Sequence, residues 1–495
     1  MTNSTFSSKL ARYIDAGFPI LYVNTYEEDS VDRVIASLFK NREVYEWNEI
    51  LGYTQFISKC PVFEDIPLSE FLDLMIEDLD GKVIILKDIV PYFEDPRIVS
   101  KIKWLAKKIA TDTDSAIIIV SGKLVLPPEL EKYITILELD YLSPDEIKEV
   151  IIDFAKEQEQ SIEENILDEF AMAFKGLSEF EIKTILQLSL ATLGSINGKS
   201  LKLIFDQKQQ LIKKAGILEM IPLKETVEDI GGLENLKEWL ARKSKVFKNY
   251  EKAKKFGVDM PKGVLIAGMP GCGKSLNAKA AAHLFEVPLL RLDMGRLMGK
   301  YVGESESNLR NAISLAEAIS PCVLWIDELE KAFAGINNSG SGAEVTTRLF
   351  GNFLTWLQEK ESPVFVVATA NNIDKLPPEL LRKGRFDEIF YVGLPKPEER
   401  EKIFDIHIKR RRPNDLSTIN IKSLANKTEG YSGADIEGVV KESIENAFSE
   451  GRNAIQEEDI LEVISSTHSL KDSMKDSIED IERKYKEKNI KNASK

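Results

Sequence analysis

Residues 268–275 read GMPGCGKS, so a lysine and a hydroxyl follow directly on a turn with three glycines. The spacing G-x-x-x-x-G-K-S suits phosphate chemistry, because backbone N–H groups can converge on an anion only where side chains do not intervene. Lys274 is expected to reach the β- and γ-phosphates of ATP, and the Ser275 hydroxyl to ligate Mg2+, which prefers oxygen donors in octahedral geometry. Pro270, Gly271, Cys272, Gly273 and Leu276 complete the expected cradle. Some fifty residues on, CVLWIDELEK ends an apolar run in Asp327 and Glu328. Two carboxylates there fit the same reaction: Asp327 holds Mg2+ through its water shell, and Glu328 orients or deprotonates the water attacking the γ-phosphate.

Such groups need rigid supports. GVLIAG is a short apolar run and SLNAKAAAHLF is helix-forming, so the loop joins a strand to a helix and feeds the positive end of its dipole. Strands alternating with helices define an α/β fold, a parallel sheet with flanking helices. At 495 residues the chain is too long for one core, and length suggests three or so domains. A net charge of −15 argues against broad adhesion to nucleic acid or anionic lipid. Cys60, Cys272 and Cys322 have neither metal-ligand spacing nor an even-numbered framework, which points to a reducing compartment. With no signal-peptide pattern and no stretch of membrane-spanning length, the expected location is the cytoplasm, or the plastid stroma for a chloroplast-encoded chain.

Further stretches, taken with the loop, resemble the AAA ATPases in order and spacing across residues 225–470. VEDIGGLENLKEWL resembles the approach to the nucleotide pocket, which implies Asp229 and Gly231 beside adenine. VVATANN is similar to the sensor-1 strand, so Asn371 would help polarise the attacking water. LLRKGRFDE resembles the arginine-finger segment; the resemblance implies that Arg385 projects into a neighbouring subunit's γ-phosphate, a device worth roughly 10³ to 10⁵ in rate. Glu388 stands where relatives often carry a second arginine. EREKIFDIHIKRR and TEGYSGADIEGVV are similar to the helical lid, with Ile403, His407, Gly433 and Ala434 closing over base and ribose. LMGKYVGESES resembles the pore loop of hexameric AAA motors, implying that Tyr301 and Val302, followed by Gly303, grip an extended polypeptide. AGINNSGSGAEVTTR, rich in Gly, Ser and Asn, is expected to be a flexible second pore-facing loop.

LPPEL occurs twice, at residues 126–130 and 376–380. Around it GKVIILKDIV matches the strand ending in Asp327, SAIIIVSG matches PVFVVATA, and FKGLSEFEIKTIL matches TEGYSGADIEGVV, all in the same order. Matches in one order indicate an internal duplication. The first copy reads YEEDS at the phosphate-loop position, with no glycine or lysine and three negative charges that repel a triphosphate. Asp88 is followed by no glutamate, and no GRFD follows the first LPPEL. Over nearly its whole length the chain resembles the tandem AAA family known from chloroplast genomes and cyanobacteria as a hypothetical chloroplast reading frame.

The expected organisation is two AAA+ modules in tandem: a degenerate α/β module over 1–140, a lid-like segment and linker over 141–215, an active α/β module over 216–395, its lid over 396–470, and a charged helical or disordered tail over 471–495. A solvated helix fraying into disorder is the expectation for that tail. The resemblance implies an ATPase that forms a ring of its own copies, a hexamer, and remodels or translocates a protein substrate or adaptor. A slow nucleotide-switched scaffold, binding a partner through the degenerate half, is the alternative. A nucleic-acid motor fits poorly with the acidic balance, and no membrane partner is expected.

Overall fold

The computed structural model describes residues 4–40, 42–63, 65–112, 114–160, 162–297, 304–332, 341–473 and 475–495. The chain divides into two compact units, residues 1–207 and 208–495.

The first unit holds β1 (Ile20–Asn24), β2 (Glu43–Asn48), β3 (Gly52–Gln55), β4 (Cys60–Phe63), β5 (Lys82–Lys87), β6 (Ala116–Ser121) and β7 (Ile134–Glu138) in the order β4-β3-β2-β5-β6-β1-β7. The second holds β8 (Leu218–Ile221), β9 (Gly263–Gly268), β10 (Leu289–Leu292), β11 (Cys322–Ile326), β12 (Val364–Ala370), β13 (Glu388–Val392) and β14 (Lys491–Asn492) in the order β14-β13-β9-β12-β11-β10-β8. The hairpin strands β3 and β4 in one sheet, and β8 in the other, pair antiparallel at an edge. The five strands common to both sheets run parallel: β2-β5-β6-β1-β7 and β10-β11-β12-β9-β13. Taken in chain order within each unit, both read second, third, fourth, first, fifth. Their central members are uninterrupted apolar runs because helices cover both faces of each sheet; β5, β6, β11 and β12 are buried throughout.

The repeated segments share local structure as well. Leu130 N–H donates to the Pro127 carbonyl and Leu380 N–H to the Pro377 carbonyl, so each LPPEL closes the same turn on a fully buried leucine. Gly176 and Gly430 have φ of 81° and 83°, and two residues later Ser178 and Ser432 each cap a helix, closed by Glu181 and Asp435. Helices Pro144–Glu157, Glu164–Phe174 and Glu179–Leu193 follow the first sheet; Pro397–Arg411, Ile421–Lys427, Gly433–Ser449 and Glu457–Ser466 follow β13.

Two segments differ from expectation. Of the stretch expected as a flexible second loop, residues 334–340 lie outside the described residues and the remainder is helical, in Ser341–Glu359, because Leu349, Phe350, Phe353, Leu354 and Leu357 form an apolar face buried on the sheet. The tail is not a solvated, fraying helix. Its helix Lys475–Glu487 buries Ile478 and Tyr485, and β14 then pairs in parallel with β13. Ala493 is fully buried, its N–H bonded to the Tyr391 carbonyl and its carbonyl to Leu236 N–H. The charged composition of the tail concealed a few well-placed apolar residues and a free sheet edge. Among the described residues no helix is long and apolar enough to cross a membrane.

Candidate active site

A cleft of about 370 Å³ opens beyond the carboxyl ends of β9, β11 and β12, the place where parallel α/β sheets receive ligands. Its lining brings together the loop residues Pro270, Gly271, Cys272, Gly273, Lys274, Ser275 and Leu276 with Asp327, Glu328 and Asn371. Asp229, Gly231, Ile403, His407, Gly433 and Ala434 line it from the other side. Arg385 does not line it, and Tyr301 and Val302 lie outside the described residues.

The loop geometry follows from its glycines. Gly271 has φ of 71°, and a Cβ there would stand 2.9 Å from Ser432 Oγ and 3.0 Å from Ala434 Cβ. The Gly271 carbonyl accepts the Ala434 N–H at 2.9 Å, so the start of helix Gly433–Ser449 rests directly on the loop. Gly231 makes a second close approach: a Cβ would meet Ile403 Cγ1 at 2.4 Å. The Asp229 carboxylate turns to Thr226, accepting its N–H at 2.7 Å and its hydroxyl at 3.1 Å.

Lys274 is buried, and its ammonium donates to the carbonyls of Gly268 at 3.0 Å and Met269 at 2.7 Å. Burial lowers its pKa, against the pull of neighbouring acidic groups. Burial likewise pushes the Cys272 thiol up to about 11, so it stays protonated and inert near neutral pH. His407 is held below the usual imidazole range, mainly by burial, and is therefore neutral at pH 7; Arg411 lies 3.3 Å from its Nδ1.

The carboxylates form a connected set. Ser275 Oγ lies 3.2 Å from Asp327 Oδ1, which also accepts the Thr369 hydroxyl at 2.5 Å. The same Thr369 oxygen accepts the Glu328 N–H at 3.0 Å. Glu328 stands at φ 50°, a left-handed conformation that costs a non-glycine residue about 1 to 3 kcal/mol and needs surrounding support. Asn371 donates from Nδ2 to Glu328 Oε1 at 3.1 Å and from its backbone to Glu330 Oε1 at 2.9 Å. Lys331 reaches the other Glu328 oxygen at 2.6 Å. Thr369 and Glu330 were not singled out from sequence; the alternation of β12 and the i, i+2 offset from Glu328 were the available signals.

The donor set suits Mg2+: a hydroxyl and a carboxylate within 3.2 Å, both hard oxygen ligands. Among the described residues no group of three or more His, Cys, Asp and Glu could cage a metal. A divalent cation here would complete its octahedral shell with phosphate oxygens and water rather than with further protein groups.

At the corresponding end of the first sheet, β1 leads through Thr25, Tyr26 and Glu27 into helix Glu28–Leu38 with no glycine turn. Lys87, at the end of β5, pairs with Asp32 at 2.8 Å, Glu46 at 3.4 Å and Glu28 at 3.5 Å. Burial works against its charge, but the hydrogen bond and charge of Asp32, with Glu46 and Glu28, outweigh it and raise the pKa.

Sheet order, glycine-rich turn, acidic pair and helical cap together define an AAA-type nucleotide-binding ATPase domain. Residues 264–394 match the ATPase family associated with various cellular activities (AAA), and residues 418–462 match the AAA+ lid domain. Residues 6–139 and 145–215 match the N-terminal and second domains of SpoVK-like AAA ATPases. The AAA domain-containing protein ycf46 of Guillardia theta is 42% identical over 95% of this chain and 92% of its own length. Its namesake in Pyropia yezoensis is 38% identical over 99% of each chain. The proteasome-activating nucleotidase of Saccharolobus solfataricus is 34% identical over 54% of this chain and 72% of its own. The chain belongs to the ycf46 family of AAA domain-containing proteins.

Proposed function

We propose that the second unit hydrolyses ATP with Mg2+, and that the protein works as a ring of its own copies, a hexamer, that remodels or translocates a protein partner. Lys274 and the loop amides bind the phosphates. Ser275 and Asp327 hold the metal, which supplies charge neutralisation and orientation of the phosphates. Glu328, fixed by Asn371 and Thr369, takes the water's proton, while Ile403, neutral His407, Gly433 and Ala434 enclose base and ribose.

One observation carries the ring. Among the described residues the cleft contains one lysine and no arginine, yet carboxylates from Asp229, Asp327, Glu328, Glu399 and Glu437 line it. A transferring phosphoryl group needs more positive charge than that. Arg385 lies ahead of the amino end of β13, whereas the cleft is beyond the carboxyl ends of the strands parallel to it. A five-residue strand separates the two by about 15 Å. Arg385, which donates to the Glu379 carbonyl of its own chain, therefore suits a neighbour's cleft and not its own.

The segment over 1–140, with helices over 141–215, is a degenerate, inactive module, and the ammonium of Lys87 there is engaged by Asp32, Glu46 and Glu28. It serves as assembly surface or partner platform. A protein partner is supported by the likeness to a relative named for activating the proteasome. The alternative, a slow nucleotide switch, draws on Glu388: it pairs with Lys491 of β14 and supplies no second arginine.

The test is the mass of the Glu328→Gln protein by mass photometry, with ATP and Mg2+ and without nucleotide. This variant should bind but not cleave. A closed ring formed only with ATP is expected; monomers or small oligomers under both conditions would reject the ring and favour the switch.

A further inference from the structure

The docked tail touches the turn that Asn371 opens. Asn371, the only side chain donating to Glu328 from β12's end among the described residues, opens a short turn that continues through Asn372 and Ile373 to Asp374. The tail helix grips this turn at its far end: Asp374 pairs with Lys484 at 3.0 Å and with Lys488 at 2.5 Å. Tyr485, one residue from Lys484, stacks on Tyr391 of β13 with ring centroids 4.2 Å apart and is 3% exposed. Its hydroxyl has no hydrogen-bond partner among the described residues, and neither does Glu330 Oε2. Glu330 Oε1 is the acceptor for the Asn371 N–H. Burial first, then Tyr391 and the charges of Asp374 and Glu330, keep the Tyr485 hydroxyl protonated.

The helix is anchored at both ends. Before it, Lys471 pairs with Glu429 at 3.1 Å and Leu470 N–H reaches Asp435, both on the lid segment. After it, β14 extends the sheet, Lys491 pairs with Glu388, and Asn235 donates to the Asn492 and Ser494 carbonyls. Glu388, which departs from the pattern of relatives, thus has a structural use as the tail's anchor.

We propose that the C-terminal helix Lys475–Glu487, with Lys488 directly after it, positions Asn371 for hydrolysis, Lys484 and Lys488 being the positioning residues; this rests on the ATPase reading of the cleft. The helix and the residue after it hold the turn from Asp374, so the Asn371 amide that opens the same turn has a fixed direction toward Glu328. A displacement of about 1 Å at such a group can cost up to roughly a hundredfold in rate.

The decisive variant is Lys484→Ala with Lys488→Ala in the full chain. Both lysines are more than a third exposed, and surface ion pairs contribute little to stability, so the fold should persist. Expected are a fall in kcat of about tenfold or more, a Kd for a fluorescent ATP analogue within about twofold of wild type, and an unchanged Tm. The Lys484→Arg, Lys488→Arg protein should retain kcat. An active wild type with undiminished kcat in the alanine variant would overturn the proposal and leave the ATPase reading intact. Loss of kcat, affinity and Tm together, not recovered by the arginine variant, would reduce the tail to a structural brace and overturn it as well. A wild type that binds but never cleaves ATP would remove the ATPase reading, and this proposal with it.

Discussion

Thr369→Val isolates the support of the acidic pair. Thr369 is 1% exposed, and its single hydroxyl donates to Asp327 at 2.5 Å and accepts the Glu328 N–H at 3.0 Å. Valine has nearly the same shape, so no cavity opens and the change removes only the two hydrogen bonds. A bond to a charged group contributes about 1.5 to 3 kcal/mol, and a buried N–H left without an acceptor costs about 1 to 3 kcal/mol. Against this stands the strain of Glu328 at φ 50°, about 1 kcal/mol or more, which is released once its N–H is free to turn. The net destabilisation should be about 2 to 4 kcal/mol, read as a lower denaturation midpoint with an unchanged m-value. Catalysis should suffer separately. With Glu328 no longer fixed against Asn371, kcat should fall by about tenfold to a hundredfold, while the Kd for ATP, set by the loop and lid, moves by less than about threefold. Thr369→Ser keeps both bonds and should retain most of the activity. A Thr369→Val protein with wild-type kcat and midpoint would show that the bridge is incidental and that Glu328 is held by other means.

Gly231→Ala should weaken ATP binding by tenfold or so, because the added Cβ would sit 2.4 Å from Ile403 Cγ1 and force the lid helix away from the base; Ile403→Ala on top should restore part of the affinity, read by nucleotide titration. Lys360 is buried with its ammonium bonded to the Val364 carbonyl, and burial holds its pKa down at about 8 against 10.5 unfolded. Between those values the unfolded chain binds more protons, so this group makes stability rise with pH from about 8 to about 10.5 and gives its full penalty below pH 8. Lys360→Met should therefore stabilise the second unit at pH 7, on the order of 3 kcal/mol, and flatten that rise in denaturation curves taken across the window.

What could be read in the sequence was chemistry written in adjacent residues. The glycine turn with Lys274 and Ser275, and the pair Asp327 and Glu328, need their residues side by side because one turn and one strand end must present them, and the structure brings all of them into one cleft. The repeated segments were legible for a related reason: LPPEL and the Ser178 and Ser432 caps are local turns whose shape depends on their own residues. Thr369 lies 42 residues from Asp327, and its importance comes from β12 lying next to β11, which no spacing records. The tail was misread on composition. Lys484 and Lys488 look like a solvated face until Asp374, on a turn 114 residues from Lys488, is set against them, and Tyr485 looks like an isolated aromatic until Tyr391 lies under it. Glu388 belongs to the same class. Judged against relatives it is a missing arginine, and judged against its own chain it is the partner of Lys491. A departure from a family pattern therefore locates a changed contact before it locates a lost activity, and here the changed contact fastens to β13 the segment whose preceding helix reaches Asn371's turn.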